Sequence, residues 1–545
     1  MLGLVQSQGL VISSILKHAA RHHAEVPVIS RTHEGTTHRY TWEEVERRAR
    51  KLVRAMESLG VGKQDRVGTL AWNGYRHLEV YYAAPGCEAI CHTINPRLHP
   101  DDVAYIINHA GDKVLFVDSS FASLITAIAP AIAETVKAVV MLAAPEHMPD
   151  VTLAPGMTLH CYDQIVDGAD EDYTWPLFDE RTASALCYTS GTTGRPKGVL
   201  YSHRSTFLHA YAIALPDVLD LRATSRVLPV VPMFHVNAWG IPYAAALTGT
   251  SLVLPGRHLD GPSMATLLNA ESVTFTCGVP TVWLGLLQHL RSSGERLATV
   301  KRIMTGGSAA PQLLIDAFRD EYDVAVEHGW GMTELSPVGT YNAPKPAQAG
   351  LSVAQATQHM LKQGRVLPGI DMKIVDGAGK ELPWDGTAFG DLKVRGPWVA
   401  SAYYGEEPGS ALDADGWFAT GDVATIDPDG FMEITDRSKD VIKSGGEWIS
   451  SIDLENILVG HPAVAEAAAI AVPHPKWDER PLMVVTLKPG ARATREELLA
   501  YFDGKIAKWW TPNDVAFVDE LPHTATGKLL KMKLREQFRD YRWPE

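Results

Sequence analysis

Four times in the middle of the chain, a short β-rich run gives way to a Gly/Pro loop and then to a helix-like stretch. "ALCY" (185–188) runs into "TSGTTGRPKG" (189–198), and "RVLPVVP" (226–232) runs into "MFHVNAWG". "SVTFTC" (272–277) leads to "GVP" and a Trp/Leu-rich stretch, and "RIMT" (302–305) leads to "GGSAAP". Pro311, with its fixed φ and missing N–H, is placed to open a helix after the last of these. Repeated strand–loop–helix order specifies α/β layers, with ligands gathered at the carboxyl ends of strands, where these loops fall. A chain of 545 residues exceeds what one hydrophobic core supports, so more than one domain is expected.

Near residue 436 the texture changes. "ATIDPDGFMEI" (424–434) reads as a hairpin turning at Asp429-Gly430. Beyond it, "AAAIAV" (467–472) and "LMVVTL" (482–487) alternate with helical stretches, which predicts a small α+β domain. The expected organisation is a large multi-layer α/β domain over 1–435, a short charged hinge over 436–441 and a mobile C-terminal domain over 442–545.

Charge narrows the partners. Fifty basic against 64 acidic residues give a formal net charge of −14, which argues against nucleic acid or an anionic membrane as main partner. The basic tail Lys528–Arg542 is a local exception and reads as a solvated helix face. The first 23 residues lack a cationic start and read as an amphipathic helix rather than a signal peptide. No apolar run approaches the ~18 residues of a membrane span, although peripheral membrane contact stays open. Five scattered cysteines fit a reducing cytoplasm. Cys87 and Cys91 have a ligand-like spacing, but no second pair completes a zinc site, so they read as small apolar fillers.

The loop at 189–198 is dense in phosphate-binding groups. Glycines let backbone N–H groups approach oxygens, the hydroxyls of Thr189, Ser190, Thr192 and Thr193 add donors, and Lys197 supplies charge. A Walker loop is excluded. Gly191 and Gly194 stand too close together, and Lys197 precedes Gly198 and a second β-like run (199–201) instead of a helix.

The full string "YTSGTTGRPKGVLYSH" (188–203) resembles the phosphate-loop signature of the adenylate-forming superfamily, which includes acyl-CoA synthetases, adenylation domains and luciferases. "GWGMTE" (329–334), "TGD" (420–422), "DRSKDVIKSGGEWIS" (436–450) and "LPHTATGK" (521–528) follow in the family's order, so the resemblance spans nearly the whole chain. "VPMFHVNAW" (231–239), "GGSAAP" and "KSGGEWISS" look most like bacterial medium- and long-chain fatty acyl-CoA synthetases. The resemblance implies ATP, Mg²⁺ and coenzyme A as cofactors or co-substrates and a fatty acid as the small-molecule substrate. It also admits a homodimer.

Residue by residue, the resemblance puts Glu334 and Thr189 on the metal, a hard carboxylate being what Mg²⁺ requires. It puts Gly307, Ser308, Ala309 and the run His328, Gly329, Trp330, Gly331, Met332 and Thr333 around the nucleotide. Trp330 stands where relatives commonly have Tyr, and an indole can still stack on adenine. Asp422, before the hairpin, and Arg437 are expected at the ribose. Lys439 matches the hinge position, and Lys443 and Trp448 match the loop that lines the thiol's path together with Gly445, Gly446 and Glu447. His235 is expected to help position the carboxylate and Trp239 to gate a fatty-acid tunnel; core packing is the plain alternative for both. Lys528 is the expected catalytic cation of the first step, in which the carboxylate attacks the α-phosphorus of ATP. Rotation about Lys439 then prepares thiol attack on the acyl-adenylate. Alternatives are a ligase for aryl or short carboxylates, a donor to a carrier protein (weakened because no carrier domain follows Glu545), an oxidative luciferase, and a non-catalytic nucleotide sensor. The sensor should have lost Glu334 or Lys528, and both are present.

Overall fold

The structure, a computed structural model, describes residue 1 and residues 3–189, 195–444, 447–523 and 529–543. Two large sheets form its body. A seven-stranded sheet has Arg66–Leu70 and Ile90–Thr93 near its centre, Ala183–Tyr188 beside them and Gly198–Ser202 at one edge. All its pairings are parallel except the last, where 198–202 returns antiparallel on 183–188, as the β-like run after Lys197 predicts. The nine-stranded sheet carries Arg226–Pro229, Phe275–Gly278, Arg302–Thr305 and Ala325–Gly331 side by side in parallel. These are the remaining β-rich runs of the sequence, and Pro311 sits at the N-cap of the helix Gln312–Tyr322.

Between the two sheets runs one hydrophobic core, with Val67 and Phe116 contributed from one and Val227, Leu252 and Phe275 from the other. The helix Tyr75–Gly86 lies inside it and is buried along its whole length. Such a helix must satisfy its polar residues internally. Glu79 accepts from Arg48 at 2.8 Å and from the Tyr162 hydroxyl at 2.6 Å, and Arg76 grips Asp163 through two hydrogen bonds.

A four-stranded antiparallel sheet follows, ending in the hairpin of Phe418–Ile426 and Met432–Arg437. Asp427 Oδ1 accepts the N–H groups of Asp429 and Phe431, both at 2.9 Å, and Gly430 takes the positive φ (86°) that closes the turn. The last sheet, five-stranded, contains Val464–His474 and Asp478–Leu487 and has its own cores on both faces. A large N-terminal α/β region and a small C-terminal α+β region therefore stand as expected.

Three expectations need correction. The N-terminal helix spans only Ile12–His22, and Leu4 and Val5 are exposed ahead of it. Asp422 lies inside the first strand of the hairpin, not before it. The basic tail is solvated at Lys533, Arg539 and Arg542 but not throughout, because Lys531, at the start of the helix Lys531–Gln537, is buried. Its Nζ pairs with Glu455 at 2.7 Å and donates to Ser451 Oγ at 2.5 Å. The cysteines are free, with Cys91, Cys161, Cys187 and Cys277 buried and Cys87 half-buried, as fillers should be. Among the described residues no helix is long and apolar enough to cross a membrane.

Candidate functional site

The site lies where the strand ends converge. At Tyr188–Thr189 the first sheet enters the phosphate loop, whose base is closed by the Thr189 N–H donating to Lys197 O at 2.9 Å. Ser190, Gly191, Thr192, Thr193 and Gly194 lie outside the described residues. Lys197 reaches away from the strand. Its Nζ is 4.4 Å from the centroid of Tyr403 and 3.5 Å from the Glu406 carboxylate. Tyr404 N–H donates to Gly198 O at 2.8 Å, and a side chain at Gly198 would press on Tyr404 Cβ at 3.0 Å. The segment 401–407 thus seals the base of the loop.

Glu334 follows the strand Ala325–Gly331 in a single 3₁₀ turn, Thr333–Leu335. It is buried, its Oε1 accepts from the Tyr403 hydroxyl at 2.8 Å, and its backbone oxygen accepts from Ala400 N–H at 2.7 Å. Burial raises its carboxyl pKa, because losing water disfavours the charged form. Tyr403 therefore touches both the loop lysine and the candidate metal carboxylate. Sequence reading misses it, since an aromatic 69 residues from Glu334 carries no spacing signal. Gly331 is required sterically: a Cβ there would stand 2.2 Å from Pro337 O.

Trp330 is buried, and its Nε1–H donates to Asp422 Oδ2 at 2.9 Å. The other oxygen of Asp422 pairs with Arg437 Nε at 2.9 Å. The two ribose candidates are thus brought together, with the indole locked beside them. His328 is buried, with Leu361 O at 3.0 Å from Nδ1 and Ser308 O at 3.3 Å from Nε2, which ties the strand to the turn at Gly307, Ser308 and Ala309. Burial lowers the pKa of His328. Gly329 is packed so tightly that a Cβ would meet Met304 Cε at 2.5 Å, and Met332 is half-buried against the core.

His235 and Trp239 belong to an unusual turn. Val236, Asn237, Ala238, Trp239 and Gly240 all have positive φ (43°, 53°, 48°, 57° and 77°), a left-handed run that L-residues resist. Neighbouring side chains hold it. Asn73 donates to Pro229 O and Val231 O, both at 2.9 Å, and accepts from Met233 N–H at 2.7 Å. The Tyr81 hydroxyl donates to Met233 O, and Tyr82 donates to Pro242 O at 2.9 Å. Asn237 Oδ1 accepts from Cys187 Sγ at 3.4 Å, linking the turn to the strand that feeds the phosphate loop. Trp239 is half-buried with its ring tip over Gly306, where a Cβ would lie 3.2 Å away. Beneath it, His209 Nε2 accepts from Val338 N–H at 3.1 Å, and burial pushes the His209 pKa down to about 3, so the ring is neutral. None of these supporting side chains has a sequence signature.

At the domain joint, Asp436 is buried and accepts from Ser451 N–H at 2.7 Å and Ser451 Oγ at 3.0 Å. Arg535 pairs with Asp440, one residue past the exposed Lys439. Lys443 pairs with Trp448 across a short hairpin; Gly445, Gly446 and the Trp448 side chain are outside the description, as is Lys528.

The model of the AMP-binding enzyme family matches residues 16–404, and that of the AMP-binding enzyme C-terminal domain matches 453–528. The chain is 52% identical to a 3-methylmercaptopropionyl-CoA ligase of Ruegeria lacuscaerulensis over 542 residues, 99% of each chain. It is 49% identical to a medium-chain-fatty-acid–CoA ligase of Ectopseudomonas oleovorans, covering 99% of this chain and 98% of the other. The crystal structure of the anthranilate CoA ligase AuaEII in complex with anthranoyl-AMP superposes with a TM-score of 0.86 at 25% identity, over 99% of this chain and 98% of that one. The chain belongs to the AMP-binding enzyme family and is an AMP-forming acid–thiol ligase acting with ATP and CoA.

Proposed function

We propose that this ligase activates a linear aliphatic monocarboxylate, a medium- or long-chain fatty acid, in two steps. A carboxylate oxygen attacks the α-phosphorus of ATP, the bond to the β-phosphate bridge breaks, and pyrophosphate leaves. The CoA sulfur then attacks the acyl carbon, losing its proton, and AMP leaves with the electron pair of the anhydride bond. The first step is needed because a free carboxylate has no leaving group that a thiol can displace.

The residues have distinct tasks in this reading. Thr189 through Lys197 bind the phosphates, Asp422 and Arg437 the ribose, and Gly307, Ser308, Ala309 and Trp330 the base. Glu334 and Thr189 would hold Mg²⁺; the buried carboxylate, whose Oε1 accepts from the neutral Tyr403 hydroxyl, fits a hard cation. When bound, the ion neutralises the phosphate oxygens of ATP. His235 steadies the substrate carboxylate, and Lys528 stabilises charge at the α-phosphate in one domain orientation. Turning about Lys439 exchanges Lys528 for the 443–448 loop.

The observation that carries the substrate class is Trp239. A bulky apolar indole, half-buried over Gly306, suits a flexible aliphatic chain. A second reading rests on the relative at 52% identity: a short thioether acid, whose sulfur replaces one methylene of a straight chain. The test is kcat/KM for CoA-dependent AMP release with straight-chain acids from acetate to stearate, 3-methylmercaptopropionate and aryl acids. A maximum at medium or long chains supports the first reading, and a maximum at the thioether acid supports the second. Preference for aryl acids overturns both.

A further inference from the structure

The turn that carries Glu334 is held at two levels. Its backbone is pinned by three hydrogen bonds: the Tyr201 hydroxyl donates to Thr333 O at 2.5 Å, Ala400 N–H to Glu334 O at 2.7 Å, and Ser336 Oγ to Trp398 O at 3.0 Å. The edge strand Gly198–Ser202 and the loop after Phe389–Arg395 thus fix where the turn lies. A fourth contact acts on the side chain. The Tyr403 hydroxyl donates to Glu334 Oε1 at 2.8 Å and so fixes the end of the carboxylate. Glutamate is long and loses much rotamer freedom when held, so a carboxylate that must be aimed needs a holder of its own.

The chemistry of that holder is specific. Lysine or arginine would bind a buried carboxylate more strongly, but would neutralise the charge that a hard cation requires. A phenol supplies one directional hydrogen bond and no charge, so it orients Glu334 without competing for the same charge. The ring of Tyr403 has a second contact. Lys197 Nζ stands 4.4 Å from its centroid, within range of a cation–π interaction, and 3.5 Å from the Glu406 carboxylate. Tyr404 N–H donates to Gly198 O at 2.8 Å, one residue past Lys197, which fastens this segment beside the loop. One tyrosine therefore bridges the base of the phosphate loop and the acidic turn.

We propose that Tyr403 is a positioning residue for Mg·ATP: its hydroxyl aims the Glu334 carboxylate at the metal, and its ring seats Lys197 for the phosphates. This rests on the reading of Glu334 as the metal carboxylate. The test is calorimetric binding of ATP, with Mg²⁺ and with EDTA, in the absence of acid and CoA, so that no turnover is involved. It compares wild type with Tyr403→Phe, Tyr403→Leu and Glu334→Gln. Tyr403→Phe keeps the ring and loses the hydroxyl. It should cut the gain in ATP affinity that Mg²⁺ brings by about tenfold or more, as loss of a hydrogen bond to a ligating carboxylate does, while metal-free ATP binds as it does to wild type. Tyr403→Leu should show the same loss and, with no ring under Lys197, should also bind metal-free ATP about two- to fivefold more weakly. If Tyr403→Phe keeps the full Mg²⁺ gain while Glu334→Gln loses it, the positioning role alone is overturned. A Glu334→Gln enzyme with the full gain would overturn the metal reading itself. Equal weakening of ATP with and without Mg²⁺ in Tyr403→Phe would mean that the hydroxyl shapes the pocket, and would also overturn the proposal. If Tyr403→Leu binds metal-free ATP as tightly as Tyr403→Phe, the part assigned to the ring falls.

Discussion

The turn at 229–240 and the joint around Asp436 are both over-determined, but by opposite means. The turn is backbone forced into a disfavoured conformation and held by neutral donors and acceptors: Asn73, Tyr81, Tyr82 and Asn237. The joint has ordinary backbone and is held by buried charge, with Asp436, Ser451, Glu455 and Lys531 in one network. Neutral clamps resist pH and salt and suit a fixed reference surface. Charged clamps respond to protonation and are costly when one partner is lost, which suits the proposed turning point between the two domains.

The largest expected effect comes from breaking the charged clamp. Lys531→Ala strands two carboxylates and should destabilise the C-terminal region by about 3–5 kcal/mol. Chemical denaturation should show this as an early transition of that region, absent from a Lys531→Ala/Glu455→Gln/Asp436→Asn combination. If the single variant unfolds like wild type, the buried network has no energetic weight.

Next is the neutral clamp. Asn73→Ala leaves two carbonyls and one N–H unpaired and should cost about 2–4 kcal/mol. Because no charge is involved, the loss should be the same at pH 6 and pH 8. A loss that varies with pH would erase the contrast between the two clamps.

That contrast also marks what the sequence could and could not reveal. "RIMT" became the strand Arg302–Thr305 residue for residue, and Pro311 and Asp429-Gly430 punctuated helix and hairpin where expected, because these features act through local backbone geometry. The motif residues Glu334, Asp422 and Arg437 were legible because each stands in a recognisable string. Their holders were not. Tyr403 and Lys531 act across 69 and 80 residues of chain, and Lys531 sits in a basic run that looks solvated. The left-handed turn was hidden as well, since four of its five residues are not glycine and nothing in "VNAW" announces positive φ.

The smallest expected effect tests how tunable the joint is. Asp453, on the helix Ser451–Val459, has its pKa raised to about 6 by burial and by the nearby Glu433. A carboxyl whose folded pKa exceeds the unfolded value binds extra protons in the folded state, so stability falls as pH rises from about 4 to about 6. Asp453→Asn should remove that fall and stabilise the protein at pH 7–8 by about 1–2 kcal/mol, with little change near pH 4. Denaturation midpoints across that range give the answer, and parallel profiles for variant and wild type would contradict it.

The cysteines carry a practical consequence. Four of the five thiols are buried, and burial pushes Cys187 up to about 11 and the half-buried Cys87 up to about 12. At neutral pH such thiols hold almost no thiolate, the form that reacts with maleimides. The native surface is therefore nearly silent to thiol labelling. Single cysteines introduced at exposed positions on the two domains, such as Glu407 and Lys488, would take dyes without removal of native residues. The proposed domain rotation then becomes a distance measured directly, in an enzyme whose own thiols stay out of the way.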